Sequence, residues 1–356
     1  MKTTRDVARR AGVSSSTVSH VVNGSRFVSD DKRQRVLQAM DELGYEPNAV
    51  ARSLKVSRSN TLGLIISDIS NPFFAEVIRG AEDAAQANGY TLILCNSDED
   101  PAKEETYLRE LRAKRVDGLL LTPAGQAHEY LRKLVRARFP IVFLDRDISS
   151  LPVATVLLDN EAAAYAAVSH LVRLGHRRIG AISGRPFIST TMERLAGYAR
   201  ALREAADGVD EQLVASGSSR IDGGANATEQ LLALDKRPTA LFSGNNLMTI
   251  GALSALAAHG LEVPGDMALV GIDDFPWADV LRPRLTTVAQ PAYDLGRVSA
   301  ELLLKVMQAG LPTVPERVVL SGTLRVRESC GSHLGGVAIQ ASAPSVDGTA
   351  LSRAGA

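Results

Sequence analysis

Polar side chains stand directly after a series of apolar runs. Asp68, Asn71 and the pair Phe73 and Phe74 follow TLGLIIS. Asn96 and Asp98 follow YTLILC; Asp145, Arg146 and Asp147 follow PIVFL. Asn245 and Asn246 follow ALFSG, Asp273 and Asp274 follow LVGI, and Gln290 precedes Pro291. Carboxylates, guanidinium groups and amides beside aromatic rings suit a polyhydroxylated ring. Bidentate groups take pairs of hydroxyls, and an aromatic face covers C–H bonds. For any single residue an ordinary role weighs as much: Asn71 before Pro72 reads equally as a helix cap, and Asp273 as a turn residue. The joint pattern points to binding rather than reaction. His170 and His176 stand six apart, the wrong spacing for a helical metal pair, and no Gly-x-Ser-x-Gly elbow or phosphate loop occurs. His128, His259 and His333 fall in expected helix or tail positions. No catalytic residue, metal site or cofactor is expected.

The elements that must position these residues begin at residue 61. Strand-length apolar runs alternate with amphipathic stretches: TLGLIIS and a helix over 74–88, YTLILC and 101–114, GLLLT and 126–138, PIVFLD and 160–174. RIGAIS then precedes 191–206, a weaker strand near 212–216 precedes 223–234, ALFSG precedes 247–259, and MALVGI follows. LTTVAQP and a helix over 294–309 close the series. Continuous apolar strands separated by helices predict an α/β body of doubly wound parallel sheets in two similar lobes. In such sheets ligands sit beyond the carboxyl ends of the strands, where the polar clusters stand. The lobes are expected to comprise about 60–159 with 290–320, and about 160–289 with 321–329. Residues 330–356 are rich in Gly, Ala and Ser and read as a disordered tail.

Before residue 60 the pattern is all-α. Thr4 is expected to cap a first helix carrying Val7, Ala8 and Ala11, ended by Gly12. Ser14 or Ser15 caps a second, which turns Val18, Val21 and Val22 inward and Ser15, Ser16, Ser19 and His20 outward. Ser29 starts a third, with Val36, Leu37, Met40 and Leu43 as its apolar stripe. Helix, tight turn and helix within about 20 residues is helix-turn-helix spacing. Hydroxyls and an imidazole on the second helix suit base edges, and Arg5, Arg9, Arg10, Lys32, Arg33 and Arg35 suit phosphates.

Composition agrees. The chain has 356 residues, 45% apolar and 22% charged, with formal net charge 0. That zero hides an asymmetry: residues 1–60 hold 11 Lys and Arg against 6 Asp and Glu, and the remainder 29 against 34. A basic head on an acidic body points to nucleic acid at the N-terminus. Cys95 and Cys330, far apart in sequence, suit a reducing compartment. No membrane-length apolar run and no secretory leader is visible, so a cytoplasmic protein is expected. A sugar-transport protein would carry an export signal and no basic head. A sugar-metabolising enzyme would need a reactive set that is absent.

TTRDVARRAGVSSSTVSHVVNGSRFVSDDKRQRVLQAMDELGYEPNAVARSLK, residues 3–55, closely resembles the N-terminal region of the lactose-repressor (LacI/GalR) family, nearest to its ribose and purine branches. The resemblance implies a helix-turn-helix domain over 1–47, a hinge and linker over 48–59, and a two-lobed, periplasmic-binding-protein-like effector and dimerisation body over 60–329. It places Ser15, Ser16 and His20 at base-reading positions, with Ser19 beside them, and assigns Thr4, Arg52, Leu54 and Lys55 to DNA as well. The hinge from Asn48 to Lys55 is too short for a stable helix in water and is expected to fold on docking. Leu54 is either a linker residue or, as the family implies, a minor-groove wedge. The body also resembles periplasmic ribose-binding proteins, which implies effector contacts from Asn71, Phe73, Phe74, Asp145, Arg146, Arg194, Asn245, Asp273 and Gln290, with Phe187 as a further aromatic wall. The purine branch lacks the Asp145–Arg146 pair. The expected protein is a homodimeric repressor bound to a palindromic operator and controlled by a small sugar, as inducer or corepressor. The tail lacks a leucine heptad, so removing residues 331–356 is expected to leave a dimer.

Overall fold

Thr3, rather than Thr4, starts the first helix. In the computed structural model, α1 (Thr4–Ala11) opens with a capping box: the Asp6 N–H donates to the Thr3 hydroxyl at 3.4 Å, and the Asp6 carboxylate accepts from the Thr3 N–H at 2.9 Å. Thr4 lies inside the helix, its hydroxyl 3.0 Å from that of Tyr45. Gly12 ends α1 in the left-handed region at φ 65°. Of the two expected caps of α2 (Ser15–Asn23), Ser14 serves: its hydroxyl accepts from the Thr17 N–H at 3.1 Å. The third helix, α3 (Asp30–Leu43), stops at Gly44. Val7, Ala8, Ala11, Val18, Val36 and Ala39 form the core of this unit. Leu37, expected in the apolar stripe, is 49% exposed. The neighbouring Val36 and the next-turn Ala39 and Met40 define the inward face instead.

The structure describes residues 2–23, 26–45, 59–205, 208–309 and 314–334. The chain divides into two units, residues 1–59 and 60–356. In the second, the order is β1 (Thr61–Ile66), α4 (Pro72–Ala87), β2 (Thr91–Asn96), α5 (Pro101–Ala113), β3 (Gly118–Leu121), α6 (Glu129–Arg136), β4 (Ile141–Leu144) and β5 (Ala154–Leu158). Then come α7 (Asn160–Arg173), β6 (Ile179–Ser183), α8 (Ser189–Glu204), β7 (Val214–Ser216), α9 (Ile221–Leu232), β8 (Ala240–Ser243), α10 (Asn246–Ala258) and β9 (Ala268–Ile272). The last are β10 (Thr286–Ala289), α11 (Ala292–Ala309), β11 (Arg317–Leu320) and β12 (Thr323–Arg325).

These strands form two six-stranded sheets, ordered β11-β5-β4-β3-β1-β2 and β12-β10-β9-β8-β6-β7. Every pairing is parallel except β12 on β10. The sequence pattern had no strand at β5, although ATVLL is wholly buried. No helix separates β4 from β5, so a strict strand–helix alternation passes over it. β11 and β12 are edge strands of four and three residues and only half-buried, too short to stand out as strand patterns.

The chain passes between the sheets three times, after β5, after β10 and after β11. The passages lie together. The Asp159 N–H donates to the Leu320 carbonyl at 2.8 Å, and a Cβ on Gly322 would stand 2.9 Å from Val288 and 3.5 Å from Leu158. The first lobe is held by one close helix pair, and the second by two, α7 with α8 and α9 with α10. Where α4 meets α11, a Cβ on Gly80 would lie 2.0 Å from the Tyr293 carbonyl oxygen, and one on Gly296 1.9 Å from that of Val77. Gly296→Ala must therefore push two helices apart. We expect a loss of roughly 1–3 kcal/mol, read as a lower urea midpoint at unchanged slope.

The tail begins later than expected. Ser329 and Cys330 are fully buried, and Cys330 Sγ lies 3.2 Å from His170 Nε2. Burial alone would push the Cys330 thiol up, but hydrogen bonding with His170, Ser332 and Thr286 overrides it and brings it down to about 7. A truncation that spares this packing starts after Leu334; the rest of the expected tail lies outside the described residues.

Candidate functional site

Nine of the ten expected effector residues converge on one cleft between the lobes: Asn71, Phe73, Phe74, Asp145 and Arg146 from the first sheet's side, Arg194, Asn245 and Asp273 from the second's, and Gln290 at a crossover. The cleft encloses about 570 Å³, counting space open to solvent at its mouth. Helix starts and strand ends place the groups. Asn71 caps α4, its Oδ1 accepting from the Phe73 N–H at 3.0 Å. Asn245 caps α10, its Oδ1 accepting from the Met248 N–H at 2.8 Å. Each is thus both a cap and a cleft residue. Asp145 and Asp273 leave the ends of β4 and β9 in the left-handed region, at φ 66° and 72°. That turn, tolerated best by Asn and Asp among non-glycine residues, swings each carboxylate over the sheet edge.

The electrostatics are those of a buried polar pocket. Burial pushes the Asp145 carboxyl above its ordinary value, against the pull of Arg146 and Arg194 and with repulsion from Asp273 and Glu99. Arg146 Nε lies 3.6 Å from Asp145 Oδ2. Arg194 is fixed from behind, donating from Nε to Asn160 Oδ1 at 2.8 Å and from Nη1 to the Gly244 carbonyl at 2.6 Å. Gln290 Nε2 donates to Asp273 Oδ1. Arg146 Nε and Nη1 and Gln290 Oε1 are buried without a hydrogen-bond partner. Phe73 and Phe74 meet edge to face with centroids 5.0 Å apart. One polar bond already crosses the cleft, from Asn246 Nδ2 to Asn71 Oδ1 at 2.9 Å.

Phe187 is the exception. It is 69% exposed with φ 67°, and lines a neighbouring groove with Gln126, Arg132 and Met192. The loop after β6 turns it outward, and the wall expected of it is made by Ser183, Gly184, Thr190, Thr191 and Ser219. The strand-end rule could have found Ser183. Ser219 follows the short strand β7, whose weak pattern hides it. Three other polar residues at strand ends serve the frame: Asp147 pairs with Arg317, Asp274 with Arg325 and Arg327, and Asp98 with Lys103.

In the first unit, Ser15 and Ser16 are exposed on α2, while Ser19 and His20 are half-buried. The Ser16 hydroxyl lies 2.7 Å from that of Ser14. Arg5, Lys32 and Arg33 are exposed. Arg9, Arg10 and Arg35 are exposed but pair with Asp6, Glu42 and Asp31. Such surface pairs contribute little and can exchange for phosphates. Thr4 is half-buried in its bond to Tyr45. Arg52, Leu54 and Lys55 lie outside the described residues.

Residues 3–48 match the family described as "Bacterial regulatory proteins, lacI family", and residues 59–320 match "Periplasmic binding proteins and sugar binding domain of LacI family". The chain belongs to the LacI family. The HTH-type transcriptional repressor PurR of Photobacterium profundum is 40% identical to this LacI-family chain over 307 residues, covering 86% of it and 92% of the relative. The ribose operon repressor of Haemophilus influenzae is 39% identical over 305 residues, with the same coverage of 86% and 92%. The lac repressor dimer bound to operator and the anti-inducer ONPF superposes with a TM-score of 0.83 at 29% identity, covering 92% of this chain and 99% of that one. This LacI-family protein is a DNA-binding transcriptional repressor under small-molecule control, a regulator rather than an enzyme. Among the described residues no helix is long and apolar enough to cross a membrane.

Proposed function

We propose that this repressor is a homodimer that reads a palindromic operator in the cytoplasm, at the nucleoid, and is released from it by a small sugar, ribose or a similar monosaccharide. The observation that carries the sugar is the unsatisfied chemistry of the cleft. Arg146 offers buried donors and Gln290 a buried acceptor, each without a hydrogen-bond partner, beside the Asp145 and Asp273 carboxylates and the Phe73–Phe74 pair. A group that must both donate and accept at several points over an aromatic face is a ring bearing hydroxyls. The similarity to a ribose operon repressor supports ribose; the similarity to PurR makes a purine base the competitor. Calorimetric titration of the full chain with ribose, other pentoses, hexoses and a purine base separates them. Ribose should bind with a simple one-site isotherm; a heat signal from the purine base alone sinks the sugar reading.

Two-fold symmetric dimers match palindromic half-sites, and the similarity to a lac repressor dimer on its operator supports both. Ser15, Ser16, Ser19 and His20 read base edges, and Thr4, Arg52, Lys55 and the basic side chains of the head hold the backbone. Closing the cleft shifts one lobe against its counterpart in the dimer, which changes the spacing of the hinges and their order. On the operator, before the sugar releases it, Leu54 acts as a wedge between central base pairs. Leu54→Ala should lower both affinity and bending, most at operators with an easily unstacked pyrimidine–purine step such as CG. Gel mobility of circularly permuted duplexes reads the bend; parent-like bending by Leu54→Ala would return the leucine to a linker role.

A further inference from the structure

Two arginines of the second lobe reach one turn of the first. Arg185, in the loop after β6, places Nε 3.1 Å from Glu99 Oε2 and donates from Nη1 to the Glu99 carbonyl at 3.3 Å. Arg220, just before α9, donates to the Asp98 carbonyl at 3.4 Å. Asp98 and Glu99 both sit in the left-handed region, at φ 54° and 58°, which holds the turn in the shape that receives them. Glu99 itself is only 5% exposed. Its other oxygen, Oε1, accepts from Arg146 Nη2 at 2.5 Å. One buried carboxylate therefore hydrogen-bonds an arginine of the cleft through Oε1 and, through Oε2, forms an ion pair without hydrogen-bond alignment with an arginine of the opposite lobe. Neither Glu99 nor Arg185 lines the cleft. A charge so buried is costly unless paired, so Glu99 favours the arrangement in which both guanidinium groups are present.

We propose that Glu99 and Arg185 are positioning residues of the effector site: Glu99 aligns Arg146, and Arg185 makes that alignment depend on closure of the lobes. The proposal rests on the cleft being the effector site. It deepens that reading by naming residues that set sugar affinity without touching sugar. Parting the lobes would strip Arg185 from Glu99 and leave the carboxylate to Arg146 alone. Closure therefore restores the arrangement in which Arg146 is held on one carboxylate oxygen and its lobe is anchored through the other. A protein in which the closed arrangement is less populated binds with an affinity reduced by that fraction.

The test uses the full chain, with small-angle scattering of the ligand-free protein and calorimetric and kinetic titration with D-ribose. Arg185→Ala leaves every cleft side chain in place. It should raise the ligand-free radius of gyration and weaken ribose about tenfold, mostly through faster dissociation. The difference from the parent should shrink in high salt, because Arg185 is partly exposed and its pair is screened. Arg185→Lys should recover part of the affinity, and Glu99→Gln should lose more than Arg185→Ala because Arg146 is released as well. Arg185→Ala with parental scattering and parental ribose affinity would overturn the proposal, as would a tenfold loss that salt leaves unchanged. If the parent takes no ribose, the effector reading has failed. Ligand-free scattering then decides the clamp alone: expansion of Arg185→Ala supports it and an unchanged radius overturns it.

Discussion

Asp145→Asn should leave the repressor on its DNA and unresponsive to sugar. The amide keeps the volume and tolerates the left-handed turn at φ 66°, so the end of β4 should hold its shape. What is lost is a buried carboxylate able to accept from two hydroxyls at once. Charged hydrogen bonds contribute on the order of 1.5–3 kcal/mol each, so ribose affinity should fall at least about 100-fold. The same change should stabilise the ligand-free fold. Burial holds the Asp145 carboxyl above its ordinary value, so the folded state favours the protonated form. Ionising it costs stability that grows as pH rises from the unfolded pKa and levels off only above the raised folded one. The neutral amide escapes that cost. Asp145→Asn should thus melt higher than the parent at neutral pH, with the gap closing on acidification. Because an ionised carboxylate accepts from two hydroxyls more strongly than the protonated acid, parental ribose affinity is also expected to weaken on acidification from above the usual carboxylate range. Melting curves and titrations across pH check both signs.

Ser16→Ala and His20→Ala should separate recognition from mere attachment. Ser16 is exposed on α2, and Ser19 and His20 are half-buried on the same helix, whose inward side is held by Val18. Under the proposed reading, side chains at these positions contact base edges only at the correct sequence. Each substitution should cost roughly 1–3 kcal/mol at the operator and little on unrelated duplex. Removing Arg5, exposed and proposed to hold a phosphate, should weaken both alike and flatten the salt dependence by about one unit of slope. Anisotropy titrations on operator and scrambled duplex over a range of salt distinguish the patterns. Equal losses on both duplexes for His20→Ala would remove it from the base-reading set.

The parts legible in the sequence are those governed by local rules. Gly12 and Gly44 end helices where the pattern stops, and the strand-end rule gathers Asn71, Asp145, Asn245 and Asp273 before any coordinate is known. The parts missed depend on contacts across the chain. Phe187 carries the right side chain, but its loop turns it out of the cleft. Glu99 is one more acid in DEDPAKEE until two arginines from distant positions meet it. Asn246 reads as one more polar residue after ALFSG and proves to bond Asn71 across the cleft. Cys330 reads as tail because the core it joins is built by residues far earlier in the chain, His170 among its contacts 160 positions before.

The coupling of sugar to DNA is tested most directly by titrating D-ribose into the full chain bound to a fluorescent duplex that the protein has itself selected from a random pool. Anisotropy should fall to that of free duplex over the ribose range that saturates the cleft in calorimetry, and the same titration of Asp145→Asn should stay flat. A flat titration of the parent in saturating ribose, or equal release from Asp145→Asn, would contradict a sugar-controlled repressor built on this cleft.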